Sequence, residues 1–349
     1  MSGICTLGEG NTPLVRSAQV GPRHGAPKLW FKLESCNPSG SYKDRFIAAE
    51  MSRIVESGAQ ACVATSSGNT GSSLAAYCAR YGVRCMILVN YDAPAGKLTQ
   101  MQAHGAKVIR IREFVSDPRI TSQVFEMLRA FSRERNAPLV VSAYRYCPNG
   151  MAAVEKIAQE LREQFAHERI DHVFVPVGGG GLFSAVARGF AAGGVPTPRI
   201  HAVQPAGCLT VVASYLRNDD EINPVNSTTR ISGLSVPSDI DASLALSLLR
   251  GCGGMGFAVN DEEVRDAQNL LLSHEGIYAE PAGSAALAGW LQAVARGVVK
   301  PADRSVCLVT GHGFKDPASA EAAAARHPGL SAPPAELQAL LQHLLEETS

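Results

Sequence analysis

The 349-residue chain has no excess of charge of either sign, with 32 Lys plus Arg against 32 Asp plus Glu. A balanced chain makes no field to hold a phosphate polymer or an anionic membrane, because such binding runs on clustered cations. Neither nucleic acid nor membrane is therefore expected as a partner. No stretch approaches about 18 consecutive apolar residues, and Met1 to Gly10 shows neither a basic nor an apolar leader pattern. Export and membrane insertion are not expected. There is no CxxC pair: the nine cysteines (Cys5, Cys36, Cys62, Cys78, Cys85, Cys147, Cys208, Cys252 and Cys307) stand singly in apolar segments. That scatter predicts reduced core residues in a cytoplasmic setting and no metal site. Internal repeats and low-complexity tracts are missing as well, which leaves a globular protein with a small-molecule partner.

What is present is an alternation. With 46% hydrophobic and 18% charged residues the chain is ordinary globular material, and its length fits roughly two domains at about 150 residues each. Short β-rich runs alternate with helical patterns almost from end to end, the sequence form of βαβ units around parallel sheets, so the fold class is α/β. Behind Lys43, Ile47, Met51, Ile54 and Val55 follow a helical rhythm that stops at Gly58. Strands are expected at 61–65, 84–89, 106–111 and 139–143, with helices at 69–81, 95–104 and 121–135 between them. A second series has helices at 151–165, 181–192, 262–274 and 282–296, and strands at 172–177, 199–204 and 305–310. Residues 218–241, rich in Asn, Ser, Thr, Pro and Asp, read as a long loop, either a cover for a site or a plain surface excursion. Leu337, Leu340, Leu341, Leu344 and Leu345 form a one-sided helical stripe that should pack on its own core or on a second subunit.

Four loops carry chemistry. In Asn37-Pro-Ser-Gly-Ser-Tyr-Lys43-Asp-Arg45, a lysine sits at a helix N-terminus, where the macrodipole disfavours an ammonium. Lys43 is either a solvated partner of Asp44 or an amine kept for imine chemistry. Thr65-Ser-Ser-Gly-Asn-Thr-Gly-Ser-Ser73 leaves a strand and enters a helix with hydroxyls and free N–H groups, enough for a carboxylate, though Ser, Thr and Asn are also ordinary caps. The glycines Gly178, Gly179, Gly180 and Gly181 follow another apolar strand, and backbone without Cβ lets N–H groups approach a phosphate. Phe183 breaks the dinucleotide spacing, and the Lys-Ser/Thr end of a Walker loop is missing. Finally Thr310 ends a strand ahead of Gly-His-Gly-Phe-Lys-Asp316, where a neutral hydroxyl can hydrogen-bond a ring nitrogen. His312 and Lys315 read as structural, and Glu280 as a charge favoured in a first helical turn. A lysine able to form an imine, a phosphate cradle and an amino-acid-sized anion loop together describe pyridoxal 5'-phosphate.

These segments, with Gly10-Asn-Thr-Pro-Leu14, Ser66-Ser-Gly-Asn-Thr70 and Glu280-Pro-Ala-Gly283, resemble the fold type II pyridoxal-phosphate enzymes, and within them the threonine synthases and their relatives. The resemblance spans almost the whole chain in the right order. It implies a tryptophan synthase β-like architecture: a large cofactor-binding domain of residues 1–46 plus 145–349, and a small mobile domain, 47–144, that closes to expel water. By the same resemblance Lys43 carries the cofactor as a Schiff base and Tyr42 flanks its ring. Asn69 bonds the phenolic oxygen, Gly178 to Gly181 hold the phosphate, and Thr310 faces the pyridine nitrogen. Ser66, Ser67, Asn69 and Thr70 close on the substrate carboxylate, with Arg145 as a further substrate residue. A homodimer acting on an amino-acid substrate is expected.

Two departures fall where the substrate is selected. Threonine synthases generally carry an Asn-containing loop where this chain has Gly178 to Gly181, which looks more like the serine and threonine dehydratases. The polar residues they place ahead of an Asn-Pro-x-Arg segment are here Leu139-Val-Val-Ser-Ala-Tyr-Arg145. Missing donors for a substrate phosphate cost several kcal/mol, about two to three decades of affinity. The expectation is therefore a lyase or synthase working by elimination or replacement at the β-carbon through an aminoacrylate. The alternatives are a genuine threonine synthase acting on O-phospho-L-homoserine, a serine/threonine dehydratase, and a non-catalytic pyridoxal-phosphate-binding protein.

Overall fold

The computed structural model describes residues 4–114, 117–166, 168–194 and 197–347. Its strands, among the described residues, are β1 (Leu14–Arg16), β2 (Leu29–Leu33), β3 (Ala61–Thr65), β4 (Arg84–Asn90), β5 (Lys107–Ile111), β6 (Leu139–Val140), β7 (His172–Pro176), β8 (Arg199–Pro205), β9 (Gly256–Val259) and β10 (Ser305–Val309). They form two sheets. One has six strands in the order β1-β2-β10-β7-β8-β9, and the other four in the order β5-β4-β3-β6. Every pairing is parallel except β1 with β2. Parallel strands are sandwiched by their crossover helices, and β7 in the middle of the larger sheet is accordingly buried at all five residues.

Helix ends follow local chemistry. The Asn69–Tyr81 helix stops at Gly82, whose φ of 70° is the left-handed conformation a terminating glycine adopts readily. The Asp261–Glu275 helix opens with a reciprocal capping box between Asn260 and Glu263.

Several elements differ from the sequence expectation. The helix expected at 151–165 is two helices, Pro148–Val154 and Lys156–Gln164, that meet at Glu155. The strand expected at 139–143 is only Leu139–Val140, because the chain then turns toward the cavity described below. Strands β1, β2 and β9 and the helices Val211–Arg217 and Ala242–Gly251 escaped notice; the strands are short and β2 carries a lysine in its middle. That residue, Lys32, is fully buried and bonds Glu160 Oε2 at 2.7 Å. Cys36 is exposed and Cys252 half-buried, so the core assignment of the cysteines holds for the other seven. The C-terminal stripe does form a helix, Leu337–Glu347, with Leu337, Leu341 and Leu345 exposed and Leu340 and Leu344 half-buried. Among the described residues no helix is long and apolar enough to cross a membrane.

Candidate functional site

The carboxyl ends of parallel strands from both sheets open onto one cavity of about 1040 Å³, the place where open α/β sheets take ligands. Lys43 enters it as the first residue of the Lys43–Glu56 helix. Two residues on, the Arg45 guanidinium pins that helix: it reaches both oxygens of Glu34 and both of Glu160 at 2.6 to 2.7 Å. Burial alone would raise the Glu160 pKa, but Arg45 and Lys32 hold it down at about 2. A lysine two residues from such an anchor has little freedom in its backbone. Its Nζ donates to Ser142 Oγ at 2.6 Å and lies 4.6 Å from the centre of the Tyr42 ring.

Strand β3 delivers Ser66, Ser67, Asn69 and Thr70, all lining the cavity, and the Asn69–Tyr81 helix starts within this loop. The Asn69 Nδ2 donates to Glu280 Oε1 at 2.6 Å, across from the smaller sheet to the helix Pro281–Ala295 packed on the larger one. Strand β7 delivers Gly178, Gly179, Gly180 and Gly181, the last opening the Gly181–Ala191 helix. Gly180 has φ of +98°, and a Cβ there would lie 2.6 Å from the Asp241 carbonyl oxygen; at Gly178 it would lie 2.7 Å from that of Gly233. Only glycine fits either position, which leaves backbone N–H groups as the surface of the cradle. Thr310, buried at the end of β10, lines the same space, its Oγ1 3.4 Å from the Ala282 carbonyl.

The long loop is a cover: Pro224 to Asn226 and Ser232 to Asp241 contribute many of the lining residues. Arg145, expected as a substrate residue, is exposed and is not among the lining residues; its N–H and that of Tyr144 both donate to the Asp241 carboxylate, at 3.1 and 2.7 Å. That clamp turns the chain so that Ser142, not Arg145, reaches the site.

Four lining residues escaped the sequence reading or were discounted by it. Ser142 sat unnoticed inside an apolar run. Asp241 precedes a helix and looks like an N-cap, yet its side chain makes no capping bond and spans to the turn at 144–145; burial raises its pKa. Glu280 was read as a favoured helix charge and instead accepts from Asn69. Lys315 was read as structural, but its Nζ lines the cavity and donates to Gln100 Oε1 at 2.8 Å, with burial lowering its pKa to about 8. His312, its neighbour in that reading, stacks on Phe314 with ring centres 4.7 Å apart and is not among the lining residues.

The set fits a phosphorylated, carbonyl-bearing ring: a free lysine amine, a cradle that only glycine can form at a helix N-terminus, and a buried hydroxyl share one cavity. Comparison with known proteins agrees. The chain is 34% identical over 326 residues to the threonine synthase of Methanocaldococcus jannaschii, covering 91% of this chain and 78% of that one. With the threonine synthase of Halalkalibacterium halodurans the identity is 30% over 346 residues, covering 98% and 92%. Among solved structures, maize serine racemase superposes with a TM-score of 0.75 over 97% of this chain and 94% of the other at 21% identity, a likeness of fold. An O-ureido-L-serine synthase superposes at 0.72 over 88% and 90%, also at 21% identity. The family model described as pyridoxal-phosphate dependent enzyme matches residues 5–311, and the chain belongs to that family.

Proposed function

We propose that this family member is a lyase or synthase that eliminates or replaces a group at the β-carbon of an L-amino acid. The observation that carries the reading is convergence: Lys43, the Ser66 to Thr70 loop, Gly178 to Gly181 and Thr310 come from four separate loops and line one cavity. Lys43 would hold the cofactor covalently, Gly178 to Gly181 would receive its phosphate on their N–H groups, and Thr310 would hydrogen-bond its ring nitrogen. Tyr42 would flank the ring, and Asn69, oriented by Glu280, would bond its phenolic oxygen. Pyridoxal 5'-phosphate, when bound, supplies an electron sink for the pair released as the α-C–H bond breaks.

Everything else is the work of this chain. Ser66, Ser67, Asn69 and Thr70 take the substrate carboxylate on hydroxyls and helix-start N–H groups, which fixes the α-carbon over the Lys43 amine. Lys43 would serve as the base for the α-proton, and Ser142 Oγ, which accepts from Nζ at 2.6 Å, would hold that amine in place. Closure of the small unit, residues 47–144, against the remainder excludes water during the step. A homodimer fits the exposed face of the Leu337–Glu347 helix, and a cytoplasmic site fits nine unpaired cysteines.

Around Lys43, the end of β6 and the turn after it offer the cavity Val140, Val141 and Ala143 besides Ser142, while Arg145 is not among the lining residues. That side of the cavity is a poor receptor for a substrate phosphate and supports the β-carbon reading. Threonine synthase is the second reading, favoured by the 34% identity and by the Lys315 ammonium in the cavity. The deciding experiment is the visible spectrum of the cofactor-loaded protein during titration with L-serine, L-threonine, O-phospho-L-serine and O-phospho-L-homoserine. Serine-type compounds are expected to shift the band and phosphohomoserine to leave it unchanged. A response to phosphohomoserine alone makes the protein a threonine synthase.

A further inference from the structure

At the end of the small sheet remote from the cavity, three cysteines that are far apart in sequence meet. Cys62 and Cys85 are direct cross-strand partners on β3 and β4, and Cys78 lies on the Asn69–Tyr81 helix that covers them. The Cys62 and Cys78 sulfurs are 3.3 Å apart, and all three sulfurs lie within 4.8 Å of one another. All three side chains are buried, at 0%, 1% and 7% exposure for Cys62, Cys78 and Cys85. They belong to an apolar cluster that includes Leu74 and Ile87. None lines the cavity, so the proposed reaction does not use them.

We propose that Cys62, Cys78 and Cys85 form a three-coordinate binding site for a soft monovalent cation, Cu(I). Thiolate sulfur selects soft metals, and a dry pocket without oxygen ligands rejects Mg(II) and Ca(II). With metal–sulfur bonds of about 2.3 Å, a trigonal site places its sulfurs about 4 Å apart, within the span found here. Zinc prefers a fourth ligand, and among the described residues this group has three members, closed off from water. One ligating thiolate and one Cu(I) are neutral together, which lowers the cost of burying either. Binding transfers no electrons; any further thiol that ligates releases its proton to solvent. Because Cys62 and Cys78 flank the loop that carries Ser66 to Thr70, an ion here would tie that strand to that helix beneath the substrate end of the cavity.

The test uses the full-length, cofactor-loaded protein carrying Cys36→Ser, which removes the exposed thiol. Under anaerobic conditions it competes with bicinchoninate for Cu(I). One Cu(I) per chain should leave the chelator, and X-ray absorption should show three sulfurs at about 2.3 Å. Cys78→Ala and Cys85→Ala should each weaken retention by about 100-fold, whereas Cys307→Ala, buried in the other sheet, should not. Circular dichroism checks that each variant folds, and Cys62→Ala with the same readout replaces any that does not. Failure to withdraw copper, two-sulfur coordination, retention unchanged in the cluster variants, or tighter retention of Zn(II) than of Cu(I) each overturns the proposal.

Discussion

The Lys315 Nζ hydrogen-bonds the neutral Gln100 Oε1, while the two carboxylates that act on it from a distance, Glu280 and Asp44, are engaged elsewhere with Asn69 and with Ser39 and Ser73. A half-buried cation whose side-chain hydrogen bond goes to a neutral amide is costly, and burial is what lowers its pKa to about 8. An anionic group on a bound amino acid would supply a charged partner. The sign follows directly: the ammonium is present below about pH 8 and lost as the pH rises through it. Affinity for O-phospho-L-serine should therefore be flat near pH 7 and fall by about one to two decades by pH 9.5, while that for L-serine changes little. The same spectral titration, repeated across that range, is the check. Lys315→Met should show the low, pH-independent affinity throughout, and Lys315→Arg should keep its affinity at high pH. An identical decline in the Met variant would assign the pH dependence to another group.

At the scale of elements, the ion network of Lys32, Glu34, Arg45 and Glu160 ties β2, the Lys43–Glu56 helix and the Lys156–Gln164 helix together behind Lys43. Removing one member leaves the others charged and buried, which costs about 3–5 kcal/mol when a buried pair is broken. Glu160→Gln should lose roughly that much stability in urea unfolding at pH 7. Folding depresses the Glu160 pKa from 4.5 to about 2, so its contribution is complete above about pH 4.5 and fades as the pH falls toward 2. The gap between wild type and variant should narrow as the pH falls from about 4.5 toward 2; a constant gap would mean that packing, not charge, is what the substitution removed. None of this network was legible beforehand. Its partners lie 11, 115 and 128 residues apart, and neither periodicity nor local spacing reports on such pairs. The site loops were legible for the opposite reason: each is a contiguous strand–turn–helix junction whose glycines and hydroxyls announce themselves locally. Arg145 and Asp241 lie between these cases. Their surroundings looked familiar, but a clamp spanning 97 residues decides which side chain enters the cavity.

For the whole molecule, the cavity is the seam between two sheets, and among the hydrogen bonds that cross it are those of Lys43 with Ser142, Asn69 with Glu280, and Gln100 with Lys315. Each uses a residue that also faces the ligand space, so a bound amino acid competes with or reinforces the very bonds that hold the sheets in register. The alternation of elements made the α/β class and its parallel sheets legible, but not the lid, because a polar loop without periodicity reads the same whether it covers a site or lies on open surface. Closure of residues 47–144 against the rest should therefore be coupled to ordering of the 218–241 loop, whose Gly233 carbonyl and Val236 side chain lie against the Gly178 cradle. Hydrogen exchange on the cofactor-loaded protein reads both at once. Saturating L-serine should slow amide exchange in the 65–70 and 218–241 segments together, by about tenfold for each 1.4 kcal/mol of stabilisation against local opening, with a smaller radius of gyration in X-ray scattering. Slowing confined to 65–70, with the radius unchanged, would describe substrate seated in a rigid cleft and would remove domain closure from the mechanism.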